Sequence, residues 1–354
     1  MSTIEKKGFG VTKNDEKVEI YILTNDNGMR VEIMTYGGII TSLTALDKNG
    51  TYEDIVLGFD SLENYFESYN PYFGALIGRY GNRIANGKFS LDNKEYTLTP
   101  IGKTQLHGGT IGFDKVVWTV LSAEVVDGIA TLKLKYLSKD GEEGYPGNLE
   151  SIVTYTLDNE DAITIHYEAT TDKKTVVNLT QHSYFNLSGD YSQNILDHEV
   201  MIDADAYTPV AGKFIPTGEL APVEGTPFDF RIAKAVGKDI DAEHDQIKIS
   251  GGYDHNWVLN NQDKGNRLVA TAYHPTSGRF MEVFSTEPGV QFYTANFLNK
   301  NTPAKGGGAH VKRGALCFET QHYPDSPNQS NFPSTTLDVG EKYDTTTTYK
   351  FSSK

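Results

Sequence analysis

Hydrophobic and polar residues alternate with a period of two over many stretches of this chain. In Thr131–Tyr136 the apolar residues are every second one, Ile163–Glu168 has the same pattern, and Val18–Ile22 follows it less cleanly. This alternation places apolar side chains on one face of a β-strand and polar side chains on the other. Further strands, rich in Val, Ile, Thr, Tyr and Phe, are predicted over residues 30–36, 39–46, 54–59, 117–126, 149–157, 175–185, 255–260, 267–273, 279–285, 290–294, 316–322 and 346–351.

Turn-forming sequences separate the predicted strands, as in Asn25–Gly28, Lys48–Gly50 and Lys139–Gly141. Helical periodicity is scarce, and one short helix is predicted over Ser61–Tyr69 with Ser61 as its N-cap. Many strands with few helices favour an all-β fold, a large antiparallel β-sandwich. Since no Pro-rich linker, repeat or composition break divides the chain, we predict one domain over residues 1–354.

Composition and charge narrow the classes of function. A formal net charge of −15 over 354 residues is unfavourable for binding nucleic acid or an anionic membrane surface. The single cysteine, Cys317, excludes an intramolecular disulfide and a cysteine-based zinc site, and it fits a reducing compartment. Met1–Gly8 lacks the apolar run of a secretion signal, and no apolar run reaches the roughly 18 residues of a spanning helix. We therefore expect a soluble, cytoplasmic protein.

An unusual set of polar residues occupies one face of the predicted strand over residues 175–185. Amides, hydroxyls, an imidazole and a phenol suit the binding of a neutral polyol, whereas a solvated strand face more often carries Lys and Glu. The alternative is a sheet face whose histidine is hydrogen-bonded internally, and this stretch alone does not decide between them. The polar face comprises Asn178, Thr180, His182, Tyr184 and Asn186.

A glutamate interrupts the predicted strand over residues 316–322. Glu319 and Gln321 lie on one face beside Cys317, opposite Leu316 and Phe318. Partial removal from water would raise the pKa of Glu319 toward the range that a general base needs near neutral pH. The alternative, a carboxylate on an edge strand in water, is the more common environment of a single glutamate.

Three turns carry further polar side chains, and each has a plain structural explanation in turn chemistry. Gly252–Trp257 holds an acid, an imidazole, an amide and an indole, and Gly78–Ile84 holds two arginines among glycines. Gln105–Gly109 places a histidine beside two glycines, where the backbone can approach a ligand closely.

Taken together, these segments resemble the aldose 1-epimerase (galactose mutarotase) family. Six blocks occur in the family's order across residues 20 to 345, so the match is much more specific than any single motif. Gly81 stands where the family often has alanine, and His322 stands where its members vary. The blocks are Gly78–Ile84, Gln105–Gly109, Gln181–Leu187, Tyr253–Asn256, Pro288–Thr294 and Phe318–Gln321.

The resemblance implies a galactose mutarotase-like β-supersandwich with an open cleft, no metal or organic cofactor, and a free monosaccharide such as galactose or glucose as substrate. It implies that His182 is the general acid and Glu319 the general base that open and reclose the hexose ring. The substrate contacts that it implies are Asn82, Arg83, His107, Asp254 and Gln291. Tyr184 is added as a cleft-lining residue because it shares the predicted face of His182.

Three other functions stay open at this stage. A glycosidase would use Asp254 and Glu319 as its carboxylate pair. A hexose-6-phosphate 1-epimerase would gather several cations around the phosphate, but only Arg79 and Arg83 cluster here. A non-catalytic carbohydrate-binding module would not need both His182 and Glu319. The preferred sugar, the pathway (galactose use is what the resemblance suggests) and the choice between monomer and homodimer also stay open.

Overall fold

The computed structural model describes residues 1–100 and 104–354 and is built almost wholly from antiparallel strands. Nine strands form the largest sheet. From one edge to the other it contains Thr119–Val126, Ile129–Ser138, Leu149–Leu157, Ala162–Thr171, Tyr343–Ser353, Arg279–Ser285, Arg267–Tyr273, Glu199–Ile202 and Lys234–Ala235.

Two five-stranded sheets accompany it. The first is N-terminal and runs in chain order through Thr3–Val11, Lys17–Thr24, Arg30–Met34, Ile40–Leu46 and Tyr52–Asp54. The second, which we call the cleft sheet, contains in spatial order Ala221–Pro222, Ala204–Thr208, Asp254–Leu259, Gly289–Tyr293 and Cys317–Gln321.

Five two-stranded ribbons and a few short helices complete the described structure. The ribbons pair Thr104–Leu106 with Arg83–Ala85, Thr180–His182 with Ala75–Ile77, Thr175–Val176 with Thr336–Leu337, Val210–Ala211 with Ile215–Pro216, and Lys88–Leu91 with Lys94–Thr97. The α-helices are Leu62–Tyr65 and Asp245–Ser250, and the 3₁₀ turns are Phe113–Lys115, Glu142–Gly144, Gly212–Phe214, Val236–Lys238, Gln262–Lys264 and Ser326–Asn328.

A shared hydrophobic core joins the cleft sheet to the nine-stranded sheet. Phe292 and Phe318 stack with their ring centroids 5.2 Å apart, and both belong to the cluster that contains Val283 and Tyr349. The Tyr349 hydroxyl also donates to the Phe318 carbonyl at 2.9 Å. Since burying one such aromatic side chain stabilises a fold by roughly 1.5–3 kcal/mol, this packing holds the strand Cys317–Gln321 firmly against the core.

Three local predictions need correction. The strand predicted over residues 54–59 is present only as Tyr52–Asp54, and the apolar run that follows it is buried without a ladder. The strand over 175–185 is split into Thr175–Val176 and Thr180–His182, because the chain passes there from one ribbon to another. The helix over Ser61–Tyr69 is only Leu62–Tyr65, and the Ser61 side chain makes no capping hydrogen bond. No helix of the described residues is long and apolar enough to cross a membrane.

Candidate active site

Seven of the eight predicted site residues line one cavity of about 190 Å³ at the cleft sheet. They are Asn82, Arg83, His107, His182, Tyr184, Asp254 and Glu319. The eighth, Gln291, lies directly opposite Glu319 in the strand pairing, and its Nε2 donates to Asp254 Oδ1 at 2.7 Å. Gln291 is therefore placed to orient Asp254.

The imidazole of His182 and the carboxylate of Glu319 meet at the base of this cavity. His182 Nε2 lies 3.5 Å from Glu319 Oε1, and the two side chains are only 5% and 3% exposed. They come together because the chain just after His182 bridges the start of the glutamate strand, with Phe185 opposite Leu316. Cys317–Gln321 is an edge strand, yet Glu319 is buried. The alternative interpretation of Glu319 as a carboxylate exposed to water is therefore wrong.

Burial controls the charge state of this pair. Removal from water raises the pKa of Glu319 well above its usual value, and the nearby Asp254 carboxylate adds to the effect. Removal from water also lowers the pKa of His182 to about 4. Burial therefore favours the neutral form of each group, a protonated carboxyl and an unprotonated imidazole, so that the pair carries one titratable proton.

Two tyrosine rings stack on the His182 imidazole. The Tyr184 ring lies 5.0 Å from it with an interplanar angle of 16°, and the Tyr72 ring lies 6.0 Å away at 22°. The Tyr184 hydroxyl is turned away from the imidazole and donates to the Pro71 carbonyl at 2.9 Å. These contacts limit the rotation of the imidazole and help to exclude water from it.

His107 is held by the backbone beside Asn82. The Asn82 N–H donates to His107 Nδ1 at 3.2 Å, so a neutral His107 carries its proton on Nε2 and acts as a donor there. The ribbon of Arg83–Ala85 with Thr104–Leu106 creates this contact by placing both residues just beyond paired strands. Gly108 follows with φ 89°, and a Cβ there would lie 1.8 Å from the Gly78 carbonyl oxygen, so no other residue fits.

Arg83 and Asp254 supply opposite charges to the cavity walls. The Arg83 guanidinium lies over the Phe214 ring at 4.8 Å, and its nearest side-chain acceptor is Asn82 Oδ1 at 3.5 Å. Burial raises the pKa of Asp254, and the charge of Arg83 opposes that effect. The cavity thus presents donors and acceptors suited to sugar hydroxyls.

The chain was compared with protein families and with individual proteins. The family model described as aldose 1-epimerase matches residues 19–350. This chain belongs to the aldose 1-epimerase family. It is 47% identical to galactose mutarotase of Homo sapiens over 357 residues, which cover 99% of each chain. It is 38% identical to aldose 1-epimerase of Escherichia coli K12 over 332 residues, 93% of this chain and 94% of that one.

Solved structures agree with the family assignment. The crystal structure of galactose 1-epimerase from Lactobacillus acidophilus NCFM superposes with a TM-score of 0.86 at 28% identity, covering 100% of this chain and 99% of that one. A GalM/aldose epimerase homologue from C. elegans superposes with a TM-score of 0.84 at 27% identity. The predicted all-β sandwich of the galactose mutarotase type is confirmed.

The cleft contains one group with the composition of a metal site, but its hydrogen bonds do not favour a metal. His107, His182 and Glu319 each place one potential ligand atom within 4.8 Å of the others. Since His107 Nδ1 accepts the Asn82 N–H, its remaining nitrogen carries a proton and offers no lone pair. The protonated form that burial favours for Glu319 is also a poor ligand.

A second group, formed by Asp197, His198 and His274, lies outside the cleft. His198 Nε2 accepts the Leu187 N–H at 3.0 Å, and His274 Nδ1 accepts the Ser277 N–H at 3.2 Å. Each neutral imidazole therefore directs an N–H toward the Asp197 carboxylate. In this arrangement both imidazoles donate hydrogen bonds to one carboxylate and offer no lone pair for a shared metal ion.

Three aromatic residues that line the cavity were not predicted from the sequence, Tyr72, Tyr293 and Phe297. Tyr72 packs edge-on against His107 at 4.7 Å, and Phe297 is 60% exposed at the wall of the cavity. Tyr293 belongs to the matched block Pro288–Thr294 and could have been found there. Tyr72 and Phe297 lie in irregular segments, where periodicity gives no signal.

Proposed function

We propose that this chain interconverts the α and β anomers of free hexoses such as galactose and glucose by general acid–base ring opening and closure. The observation that carries the proposal is the buried pair of His182 and Glu319, 3.5 Å apart at the base of a cavity lined by polar groups. The names galactose mutarotase and aldose 1-epimerase of its relatives support the same reaction, and the first supports galactose as a substrate.

In the ring-opening step, Glu319 takes the proton from O1 while His182 gives a proton to the ring oxygen O5. The C1–O5 bond breaks, its electron pair remains on O5, and C1 becomes the carbonyl carbon of an open-chain aldehyde. Rotation about C1–C2 then presents the other face of the carbonyl. In ring closure, O5 attacks C1, His182 takes back the O5 proton, and Glu319 returns a proton to O1.

The proton count of the pair is the same before and after each step. Ring opening converts a carboxylate and an imidazolium into a carboxyl and a neutral imidazole, and ring closure reverses this change. The neutral pair that burial favours is therefore the form that accompanies the open-chain sugar. Binding of the cyclic sugar must therefore move one proton from Glu319 to His182. Hydrogen bonds to the hydroxyl groups of the sugar would stabilise the resulting pair of charges.

The other polar residues bind and orient the sugar in this proposal. His107 and Arg83 donate to oxygens on which negative charge develops, and His107 is fixed as a donor by its bond to the Asn82 backbone. Asp254, oriented by Gln291, accepts from sugar hydroxyls more strongly than an amide would.

A phosphorylated substrate fits this cavity less well than a free sugar. Arg79 is turned away from the cavity, because its guanidinium donates to the Ser138, Lys139 and Pro146 carbonyls. Within the described lining Arg83 is the one arginine or lysine, facing the acids Asp254 and Glu319. A dianionic phosphate would need more cations than this.

We further propose that residues 1–354 act as one domain, without a metal or organic cofactor, in the cytoplasm. The hydrogen-bonded tautomer of His107 argues against a metal in the cleft. The single cysteine is compatible with a reducing compartment. The proposed reaction would serve galactose or other hexose metabolism.

The test is polarimetry on freshly dissolved α-D-galactose and α-D-glucose, with and without the protein and corrected for spontaneous exchange. We expect acceleration with both sugars and none with their 6-phosphates. Hydrolysis of nitrophenyl glycosides would favour the glycosidase. Sugar binding without anomer exchange would favour the carbohydrate-binding module, and either result would overturn the proposal.

A further inference from the structure

A buried carboxylate outside the cleft joins the segments that carry the reacting pair. Glu287 is 1% exposed, and its two oxygens have different partners. Oε1 accepts from the Tyr343 hydroxyl at 3.0 Å, and Oε2 lies 2.7 Å from His322 Nδ1. Burial alone would lower the pKa of His322, but the Glu287 carboxylate outweighs that effect and raises it, so the contact favours the charged imidazolium.

The first partner leads to His182. The Tyr343 hydroxyl that donates to Glu287 also accepts the Leu179 N–H at 3.1 Å. Leu179 immediately precedes the strand Thr180–His182. One tyrosine hydroxyl therefore connects the carboxylate of Glu287 to the entry of the strand that ends in the proposed general acid.

The second partner leads to Glu319. His322 immediately follows the strand Cys317–Gln321. Its backbone is tied to the other segment as well, because the His322 N–H donates to Asn178 Oδ1 at 2.9 Å and Asn178 Nδ2 donates to the His322 carbonyl at 3.1 Å. The Glu287 carboxylate and the Asn178 amide thus each connect the segment that precedes Thr180–His182 to the residue that follows Cys317–Gln321.

These contacts lie behind the catalytic cavity. His322 and Tyr343 line a separate cavity of about 500 Å³, and Glu287 is not among the residues that line the catalytic one. Glu287 therefore has no contact with a sugar bound at His182 and Glu319. Any effect that it has on the reaction must pass through the position of these two side chains.

We propose that Glu287 is a positioning residue that sets the spacing between the strands of His182 and Glu319. The proposal rests on the proposed catalytic roles of that pair. The expected size of the effect follows from the geometry, because a misplacement of about 1 Å in a reacting group costs on the order of 10²-fold in rate. A partial relaxation of the 3.5 Å contact should then lower kcat about tenfold while sugar contacts, and hence KM, change little.

Two substitutions at Glu287 separate positioning from plain stability. Glu287→Gln keeps the shape and both hydrogen bonds, since the amide oxygen accepts from Tyr343 and the amide nitrogen donates to a neutral His322. Glu287→Ala removes both bonds. We expect Glu287→Ala to lower kcat about tenfold or more with KM changed less than about threefold, and Glu287→Gln to keep kcat within about threefold.

A matched pair of tyrosine variants covers the case in which Glu287→Ala does not fold. Tyr343→Phe removes the hydroxyl that links Glu287 to Leu179. Tyr136→Phe removes a similar tyrosine–carboxylate bond, to Glu142 Oε2 at 2.8 Å, on the strand Ile129–Ser138, none of whose residues lines the catalytic cavity. We expect Tyr343→Phe to lower kcat by about threefold or more, and Tyr136→Phe to leave kcat unchanged even where Tm falls.

Polarimetric kcat and KM for galactose are measured for all variants at a temperature well below each Tm. Unchanged kcat in folded Glu287→Ala or in Tyr343→Phe would overturn the proposal. So would an equal loss in Glu287→Gln and Glu287→Ala, because charge and not position would then be responsible. Failure of the catalytic roles themselves is distinguishable, since it would appear as full activity in variants of His182 or Glu319.

Discussion

Replacement of Glu319 by glutamine should lower activity and raise stability at the same time. The substitution keeps the size and shape of the side chain but removes its ability to take the O1 proton. A general base contributes about 10²–10⁴ in rate, so the barrier should rise by about 3–5 kcal/mol. We expect kcat for galactose to fall by at least about 10²-fold.

The gain in stability follows from the burial of the carboxyl group. Glu319 is 2% exposed, and within the described residues its Oε2 has no hydrogen-bond partner. Its pKa is raised in the folded protein, so the folded state keeps the proton to a higher pH than the unfolded chain does. The free energy of unfolding of the wild type therefore decreases as pH rises from the usual value near 4.5 toward the raised pKa.

The side chain in Glu319→Gln does not titrate. The variant should therefore be no more stable than the wild type near pH 4 and more stable than it near pH 8. Each unit by which the pKa of Glu319 in the folded protein exceeds its value in the unfolded chain costs the wild type about 1.4 kcal/mol once the pH has passed both values, and the amide avoids this cost. We therefore expect the variant to be more stable than the wild type by about 1 kcal/mol or more near pH 8. Other buried acids titrate in both proteins and largely cancel in the comparison.

The assay combines polarimetry with urea unfolding at about pH 5 and pH 8. Glu124→Gln is a suitable control, because Glu124 is exposed on the strand Thr119–Val126 and should change neither property. Full activity in Glu319→Gln would remove Glu319 from the mechanism. A variant that is less stable than the wild type at both pH values would refute the reasoning about its burial.

The remaining predictions concern the partner acid, the binding carboxylate and the pH profile. His182→Asn should lower kcat by about 10²-fold or more. Circular dichroism should show an intact fold, since within the described chain His182 Nδ1 has no hydrogen-bond partner to lose. Normal turnover in this variant would exclude His182 as the acid. Asp254→Asn should mainly raise KM for galactose, because a strong acceptor is lost, and unchanged KM and kcat would contradict that role. The pKa of about 4 for His182 predicts that kcat/KM falls as pH drops below about 4, where the pair gains a second proton and cannot accept one from O1. A loss of activity already near pH 6.5 would show that the imidazole titrates normally.

Much of the fold could be predicted from local patterns, and its errors have physical causes. Strands such as Leu149–Leu157 and Arg279–Ser285 agree with prediction to the residue, because their alternation is matched by one buried and one less buried face. Residues 55–59 are apolar for a different reason, since they cross the core without a ladder. An apolar run is compatible with a sheet strand and with a buried segment outside a sheet. Which of the two it forms depends on the segments that pack beside it.

The residues of the site were also predicted only in part. The motif blocks identified six of the residues that line the cavity, because each block carries its chemistry within a few consecutive positions, and strand alternation added Tyr184. Tyr72 and Phe297 were missed, since they reach the cavity from segments without periodicity. The hydrogen bond from the Gln291 amide nitrogen to Asp254 was not predicted, because it joins two strands that are far apart in the chain.

The sequence by itself determined the all-β class and the family, and it led to the proposal of His182 and Glu319 as the reacting pair, since these depend on residue type and order along the chain. Only the tertiary structure decided that Glu319 is buried on an edge strand, that it lies 3.5 Å from His182, and that both groups favour their neutral forms. It also placed Glu287 behind the two strands. The reason is physical: a pKa and a contact distance depend on how water is excluded and which groups converge, and the residues responsible are far apart in the chain.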